Sequence, residues 1–395
     1  MDNAIVLHQL LHQDTSENRV AIPFNKPFIV GNELQYISRA VQLGNVSGDG
    51  EFTLRSAQLL QDQFAIQRVL LTPSCTAALE MAAMLCDLGP GDEVVLPSFT
   101  FVSTANAIVR CGATPVFAEI RPDTLNLDER LVEAAISPRC KAIMVIHYAG
   151  VACEMDRFRE ISQKHGLMLI EDAAQGVNAA YRGKPLGALG DLATYSFHET
   201  KNYICGEGGA LCINQPELIE RAEILRDKGT NRQRFFRGEV DKYTWVDVGS
   251  SYVPSEIACA FLYGQLENIE AITEQRKKIF VTYRQHLQPL ADAGQLRLPH
   301  VPDHCQTNYH TFYLLLDDRA TRDALLQHLR GLGIHAVFHY VPLHDSPMGK
   351  QVGRTPSELS VTNQVSDCLL RLPLFHELTS RDQQHVIDGV KSFFA

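Results

Sequence analysis

The 395-residue sequence contains no Cys-x-x-Cys pair, although it has ten cysteines. Their scatter, with Cys86, Cys212 and Cys259 inside apolar stretches, predicts buried thiols in a reducing compartment, without disulfides and without a zinc site. Basic residues are not in excess: 36 lysines and arginines stand against 46 aspartates and glutamates, a net charge of −10. That balance leaves no electrostatic footprint for nucleic acid or an anionic membrane surface, but it is blind to a local cluster able to bind a diphosphate. Long apolar runs are missing as well. Within residues 1–20 only Ile5-Val6-Leu7 and Leu10-Leu11 are continuous and Asp2 is acidic, which predicts neither a secretory leader nor a spanning helix and places the chain in the cytoplasm. Residues 1–21 read as an N-terminal extension, either a frayed tail or a short helix packed on a partner. No internal repeat or low-complexity linker interrupts the rest.

What the sequence does have is an alternation. Short apolar strands at 68–72, 94–96, 115–117, 143–146, 167–170, 193–197 and 210–213 are separated by helix-compatible stretches, which predicts an α/β fold with a mostly parallel sheet covered on both faces. Ahead of it, Leu34, Ile37 and Val41 share one face of a predicted helix, with Asn32 as its cap. The polar stretch 265–287 reads as a helix bridging to a smaller α+β unit, with strands at 311–316 and 336–338 and a helix at 322–329 between them. The expected organisation is a large domain over 22–270 and a small one over 271–395.

Three strand ends carry the chemistry. After the strand 193–197 comes Ser196-Phe197-His198-Glu199-Thr200-Lys201-Asn202-Tyr203, and soon after it Gly206-Glu207-Gly208-Gly209. A lysine just past a strand, among small residues, is where an amine with a lowered pKa can attack an aldehyde; an exposed loop lysine gives the same pattern. The apolar run 167–170 ends in Glu171-Asp172-Ala173-Ala174-Gln175, so Asp172 falls at a strand's carboxyl end. In open α/β sheets that edge forms the ligand crevice, and a buried aspartate there requires a cation such as a protonated pyridine nitrogen; capping of a following helix is the other reading of the two carboxylates. The strand 68–72 leads into Pro73-Ser74-Cys75-Thr76-Ala77, a helix start whose free N–H groups and hydroxyls suit a phosphate or simply cap the helix. Phe101, in the parallel segment Pro97-Ser98-Phe99-Thr100-Phe101, is either a core residue or a platform for a planar ring. Amine, carboxylate and anion site together describe the demands of pyridoxal phosphate.

These segments, in this order, resemble the DegT/DnrJ/EryC1/StrS sugar aminotransferases from about Ile22 to the C-terminus. The resemblance implies the aspartate-aminotransferase-like fold, type I among pyridoxal-phosphate enzymes. It makes Lys201 the Schiff-base lysine and Asp172 the partner of the pyridine nitrogen. Gln175 is implied to face the ring's 3-oxygen and Phe101 to stack on the ring, while Ser74, Cys75, Thr76 and Ser196 surround the phosphate. Two positions depart from the family pattern: Cys75 replaces a frequent glycine, and Ser251, in Gly249-Ser250-Ser251-Tyr252, replaces an asparagine that reaches the phosphate in the neighbouring subunit of a homodimer. The wording of residues 148–156 and 228–245 is nearest to a branch acting at C4 of dTDP-4-dehydro-6-deoxy-D-glucose with glutamate as amino donor. Gluco stereochemistry at C4, or reaction at C3, stays open, because sequence does not show which face is protonated. A relative that binds without turnover is disfavoured by the presence of both Lys201 and Asp172.

His335, His339, Tyr340 and His344 are dense enough to suggest a metal, but a strand holds His335 and His339 too far apart to share one. The resemblance puts His339, Tyr340 and His344 on the sugar-nucleotide side of the cleft, against the alternative of a histidine-rich surface loop. Arg232, with Lys228, Arg234 and Arg237, is either a diphosphate contact or part of a solvated loop.

Overall fold

A computed structural model describes residues 22–395; the expectations for residues 1–21 lie outside the described residues. In chain order the strands are β1 (Arg68–Thr72), β2 (Glu93–Pro97), β3 (Thr114–Ala118), β4 (Cys140–Ile146), β5 (Met168–Asp172), β6 (Ala180–Tyr181), β7 (Lys184–Pro185), β8 (Leu192–Ser196), β9 (Gly209–Ile213), β10 (Cys305–Gln306), β11 (Phe312–Leu315), β12 (Val337–Phe338) and β13 (Leu369–Leu372).

Seven of them form one sheet in the order β1-β9-β8-β5-β4-β2-β3. The pairs β2–β3, β2–β4, β4–β5 and β5–β8 are parallel, as expected of continuous apolar strands buried on both faces. Strand β9 runs antiparallel to both β1 and β8, a reversal the apolar pattern of residues 210–213 does not disclose. Alternate side chains pack on opposite faces. Leu70, Leu96, Met144 and Ile170 join the helix Cys75–Leu85, while Val69, Leu71 and Tyr195 join the helices Glu51–Phe64 and Glu256–Leu266. Each such leucine or isoleucine buried on folding contributes about 1.5–3 kcal/mol, so the sheet is a stiff base for whatever its edge carries. A second core surrounds the smaller antiparallel sheet β11-β13-β12 and the helices Arg319–Gly331 and Ser380–Phe393. Cys86, Cys212 and Cys259 are buried, as their surroundings predict.

Two expectations about helices are corrected. The helix Glu33–Gln42 forms, but Asn32 makes no side-chain cap bond. Glu33 instead ties the preceding turn to the helix: its carboxylate accepts from the N–H groups of Val30 (2.8 Å) and Gly31 (2.7 Å) and from Gln265 Nε2 (2.7 Å). The helix therefore buries Glu33 and Ala40, and leaves Leu34 75% and Val41 54% exposed, so the apolar stripe is real but uncovered among the described residues. The expected continuous helix over 265–287 is two, Glu256–Leu266 and Ile269–Asp292. Gln265 belongs to the first, fully buried, with Nε2 also donating to Phe28 O at 2.9 Å; a polar residue satisfied in the interior is indistinguishable in sequence from one on a solvated face.

Candidate active site

Parallel strands point their carboxyl ends to one edge, which brings the turns after β1, β2, β4, β5 and β8 together. A cavity of about 560 Å³ opens there, walled on the far side by residues preceding β11 and within β12 and β13. It is lined by Ser74, Cys75, Thr76, Phe101, Asp172, Gln175, Ser196, Lys201, His339 and Tyr340, all of them named from sequence.

Asp172, the last residue of β5, is 5% exposed. Its Oδ2 accepts from Thr104 Oγ1 at 2.8 Å and its Oδ1 from Ala174 N at 3.2 Å. No helix follows it, so helix capping is not its task. Burial pushes its carboxyl above the usual carboxylate range; the Thr104 and Ala174 bonds, and then the Lys201 charge, oppose the rise without cancelling it. A buried carboxylate bonded only to neutral donors is short of a cation. Glu171, one residue earlier, points to the other side of the sheet and accepts from His147 Nε2 (2.9 Å) and from the N–H groups of Gly187, Leu189 and Gly190. The two neighbouring carboxylates thus serve different ends, one holding the loop after β7 and one facing the cavity.

Lys201 stands in the connection between β8 and β9, where Phe197 N bonds to Gly208 O, Glu199 N to Gly206 O and Lys201 N to His198 O. Burial in the cavity wall holds its amine below the ordinary lysine range, with Cys75 and Asp172 pulling the other way. Lowering the amine's pKa raises the fraction of it available as a nucleophile.

The helix Cys75–Leu85 begins at the cavity with Ser74 as its cap, the Oγ accepting from Ala77 N at 3.1 Å. That bond leaves the Ser74 hydroxyl only its own proton to offer a ligand. Thr76 Oγ1 and Ser103 Oγ lie 2.8 Å apart on adjoining helix starts, a second pair of donors. Across from them Gly209, in register with Thr72 and Ser196, admits no side chain: a Cβ would run into the backbone of Ser74 and Cys75. The result is an open backbone cradle at a helix N-terminus, the geometry that takes a phosphate. Phe101 sits beside it, 58% exposed, at the cap position of the helix Val102–Arg110.

The remaining wall is a hydrogen-bonded relay. Gln175 Oε1 accepts from Ala149 N (2.7 Å) and its Nε2 donates to Tyr340 Oη (3.2 Å), and Tyr148 Oη bonds His339 Nδ1 (3.1 Å). Burial keeps His339 and His310 well below the ordinary histidine range, with Arg371 and Lys201 adding to the effect on each. His310 Nδ1 is tied to Asn202 Oδ1 at 2.9 Å.

Three residues singled out from sequence do not reach this cavity. Arg232 is exposed on a short helix, 3.8 Å from Asp227 and over the ring of Phe236. His344 turns away to bond Ser98 Oγ through Nδ1 at 2.7 Å. Ser251 is exposed and bridges Asp227 in a short antiparallel contact. Residues that line the cavity but were not singled out include Thr104, Ser103, His310, Arg276 and Arg371. Arg371 carried a readable signal, a lone arginine inside Leu369-Leu370-Arg371-Leu372, and Thr104 another, a second threonine one helical turn after Thr100.

A buried amine with a lowered pKa, a carboxylate lacking its cation and a phosphate cradle, around one cavity at a parallel sheet's edge, define a pyridoxal-phosphate enzyme of fold type I. Comparison with known proteins makes this specific. Residues 27–391 match the family model "DegT/DnrJ/EryC1/StrS aminotransferase family". The chain is 34% identical over 368 residues to the GDP-perosamine synthase of Caulobacter vibrioides, covering 91% of this chain and 95% of that one. It is 31% identical over 382 residues to the spore coat polysaccharide biosynthesis protein SpsC of Bacillus subtilis, covering 94% and 96%. The crystal structure of the aminotransferase TlmJ from Streptoalloteichus hindustanus superposes with a TM-score of 0.86 at 30% identity, covering 94% of this chain and 98% of that one. The chain belongs to the DegT/DnrJ/EryC1/StrS aminotransferase family and is a pyridoxal-phosphate-dependent sugar aminotransferase. Among the described residues no helix is long and apolar enough to cross a membrane.

Proposed function

We propose that this protein transfers the amino group of L-glutamate to C4 of dTDP-4-dehydro-6-deoxy-D-glucose, giving dTDP-4-amino-4,6-dideoxy-D-galactose and 2-oxoglutarate. This is the reaction of the branch that serves enterobacterial common antigen synthesis, with lipopolysaccharide O-antigens as a related destination, and it belongs in the cytoplasm. Bound at the cavity, pyridoxal phosphate supplies an aldehyde that exchanges amines and a ring that takes up the electron pair released at the reacting carbon. Lys201 Nζ would hold the cofactor and would move the proton at the reacting carbon. Asp172 provides the negative charge for the ring nitrogen, and Thr104 fixes the orientation of that carboxylate. The helix start at Cys75, with Thr76 and Ser196, would hold the phosphate; Gln175 keeps one amide proton that would serve the ring's 3-oxygen, and Phe101 would pack on the ring.

The observation that carries the substrate assignment is the position of the segment 148–156. Its Tyr148 and Ala149 are the residues bonded to His339 and Gln175, so the part of the chain with branch-specific wording is also the part that shapes the wall around the reacting centre. The sugar's orientation against that wall decides which of its faces Lys201 protonates. NMR of the product formed from the keto sugar and glutamate tests this: a small H3–H4 coupling is expected for an axial amine at C4. A large diaxial coupling identifies the gluco epimer, amination at C3 identifies the other regiochemistry, and either outcome overturns the assignment.

The working unit we propose is a homodimer. Among the described residues, the stripe of Leu34 and Val41, together with Trp245 (75% exposed) and Val248 (67% exposed), leaves large apolar side chains uncovered. Arg232 and Ser251 lie outside the chain's own cavity and are assigned to the partner's. Sedimentation equilibrium should give twice the mass of one 44.0 kDa chain. Leu34→Glu with Val41→Glu is expected to shift that mass towards the monomer and depress activity with it.

A further inference from the structure

His310 lines the cavity just ahead of β11 and has no use in the account above. All of its polar atoms but one are held. Its N–H donates to Asn308 Oδ1 at 3.1 Å, its carbonyl accepts from Arg276 at 2.6 Å, and its ring meets Asn202 Oδ1 through Nδ1 at 2.9 Å. Asn308 is anchored in turn, its Nδ2 donating to Gln175 O at 2.8 Å and to Val177 O at 2.7 Å. These bonds fix the tautomer. Asn202 Nδ2 donates to Asn308 O at 2.9 Å, which turns Asn202 Oδ1 towards the ring, and an oxygen in that place requires the proton to be on Nδ1. Burial, and then the charges of Lys201, Arg276 and Arg371, keep the ring neutral. Nε2 therefore offers a lone pair to the cavity, and among the described residues no donor meets it. Lys201 Nζ has no hydrogen-bond partner among the described residues either; the lysine's own bond runs from its N–H to His198 O at 2.9 Å.

We propose that His310 is the positioning residue for Lys201: its Nε2 accepts a hydrogen bond from the Nζ ammonium formed when the lysine takes the proton of the reacting carbon, and so holds the amine on one face of that carbon. This rests on the amino-acid-to-sugar transfer proposed above. The step balances on Nζ alone. The neutral amine takes one proton, the electron pair of the broken C–H bond passes to the cofactor ring, and the ammonium gives that proton back to a carbon on the same face; His310 stays neutral throughout. An ammonium inside the cavity needs an acceptor, and the other polar groups around Lys201 are committed elsewhere. Asp172 accepts from Thr104 and Ala174 and is assigned to the ring nitrogen. Tyr340 Oη bonds Gln175, His339 Nδ1 bonds Tyr148, and burial keeps the Cys75 thiol protonated. Lys201 is the foremost charge acting on His310, whereas Arg371 is the foremost on His339. The covalent chain points the same way, for Asn202 follows Lys201 directly, and the bond that fixes the ring also fixes the segment carrying the amine.

The test compares wild type with His310→Asn, whose amide keeps a donor for Asn202 but has nothing at the Nε2 position, and His310→Gln, which keeps an acceptor there and loses the Asn202 bond. In the full-length protein freed of cofactor, acetylation of Lys201 by acetic anhydride is followed against pH at the Lys201 peptide. An acceptor favours the charged amine, so the pH of half-maximal labelling should fall by about one unit in His310→Asn and stay within about 0.3 unit in His310→Gln. In the loaded enzyme, the rate at which L-glutamate bleaches the pyridoxal form should fall about 100-fold in His310→Asn and less than about threefold in His310→Gln, the scale for a misplaced reacting group. Deuterium on the α-carbon of glutamate should slow His310→Asn by a larger factor than wild type. A purely structural role predicts the opposite order, glutamine being worse than asparagine, and that order overturns the proposal, as does an unmoved labelling pH in His310→Asn. A loss confined to the pyridoxamine form with the keto sugar also overturns it, and gives Nε2 to a sugar hydroxyl. Should His310→Asn fail to fold, Asn202→Ala, which frees the ring to turn, must move the labelling pH downward, and no shift there counts against the proposal equally. A wild-type enzyme that accepts amino groups from no amino acid refutes the parent reaction, whereas a normal wild type matched by His310→Asn refutes only this residue's role.

Discussion

Lys201→Ala is expected to fold, to bind pyridoxal phosphate and to lose turnover by about 10⁴-fold or more, the scale seen when a reacting group is removed rather than a packing one. Borohydride should fix the cofactor covalently on the Lys201 peptide of the wild type and on no peptide of the variant. Covalent label on a different lysine would end the assignment. The same variant has a stability signature. The amine's pKa is lowered in the fold chiefly by burial. Because the folded value lies below the unfolded one, the unfolded chain binds the proton more tightly, and the lysine destabilises the cofactor-free protein at neutral pH. That cost disappears only as pH rises through the folded value towards the unfolded one. Without cofactor, the alanine variant should therefore melt above the wild type at pH 7, and the gap should narrow as pH approaches 10, near the unfolded lysine value. A variant that melts below the wild type throughout would mean that the side chain acts as packing.

Asp172→Asn should lower turnover by about 10²–10⁴-fold, the range for removing one preorganised electrostatic contact, while cofactor binding survives in part. An amide cannot hold a proton on the pyridine nitrogen, although it can still accept the Thr104 hydrogen bond of 2.8 Å. Its effect on stability changes sign with the cofactor. Burial raises the carboxyl's pKa in the fold, so its ionised form destabilises the cofactor-free protein above the folded value, and the cost is relieved as pH falls through it. Without cofactor, the asparagine variant should melt above the wild type at pH 7.5 and approach it in acid. With pyridoxal phosphate the order should reverse, because the wild type alone gains a buried ion pair. Melting curves at two pH values, with and without cofactor, decide it. Near-normal turnover in Asp172→Asn would remove the electronic role altogether.

Both residues could be found in the sequence for a local reason. Lys201 and Asp172 lie at or just past the ends of apolar strands, and in a parallel sheet those ends share an edge, so a pattern a few residues long already places each at the crevice. Ser74, Cys75 and Thr76 are legible for the same reason, being the first turn of a helix that follows a strand. Pattern was less informative wherever a residue's partner is remote. Glu33 and Gln265 meet across 232 positions, so neither the burial of this pair nor the break after Leu266 is written near either residue. Thr104 meets Asp172 across 68 positions. His344, adjacent in sequence to cavity residues, is drawn off by Ser98 from a different strand end.

The sequence by itself determined the α/β alternation, the edge of the sheet on which a ligand binds, and the amine, carboxylate and anion site that make a pyridoxal-phosphate enzyme. These follow from short-range rules: apolar runs become buried strands, and the small polar residues after them fall at the carboxyl ends. Tertiary structure alone decided that β9 runs backwards, which sets Gly209 against Ser74 and Cys75 and opens the cradle. It also decided that the Leu34–Val41 stripe goes uncovered among the described residues, and that Arg371, from a strand 170 positions beyond Lys201, faces the same cavity. Periodicity reports that a face is apolar and a strand is buried; strand direction, the element that covers a face, and the charge left without a partner are set by packing between segments far apart in the chain.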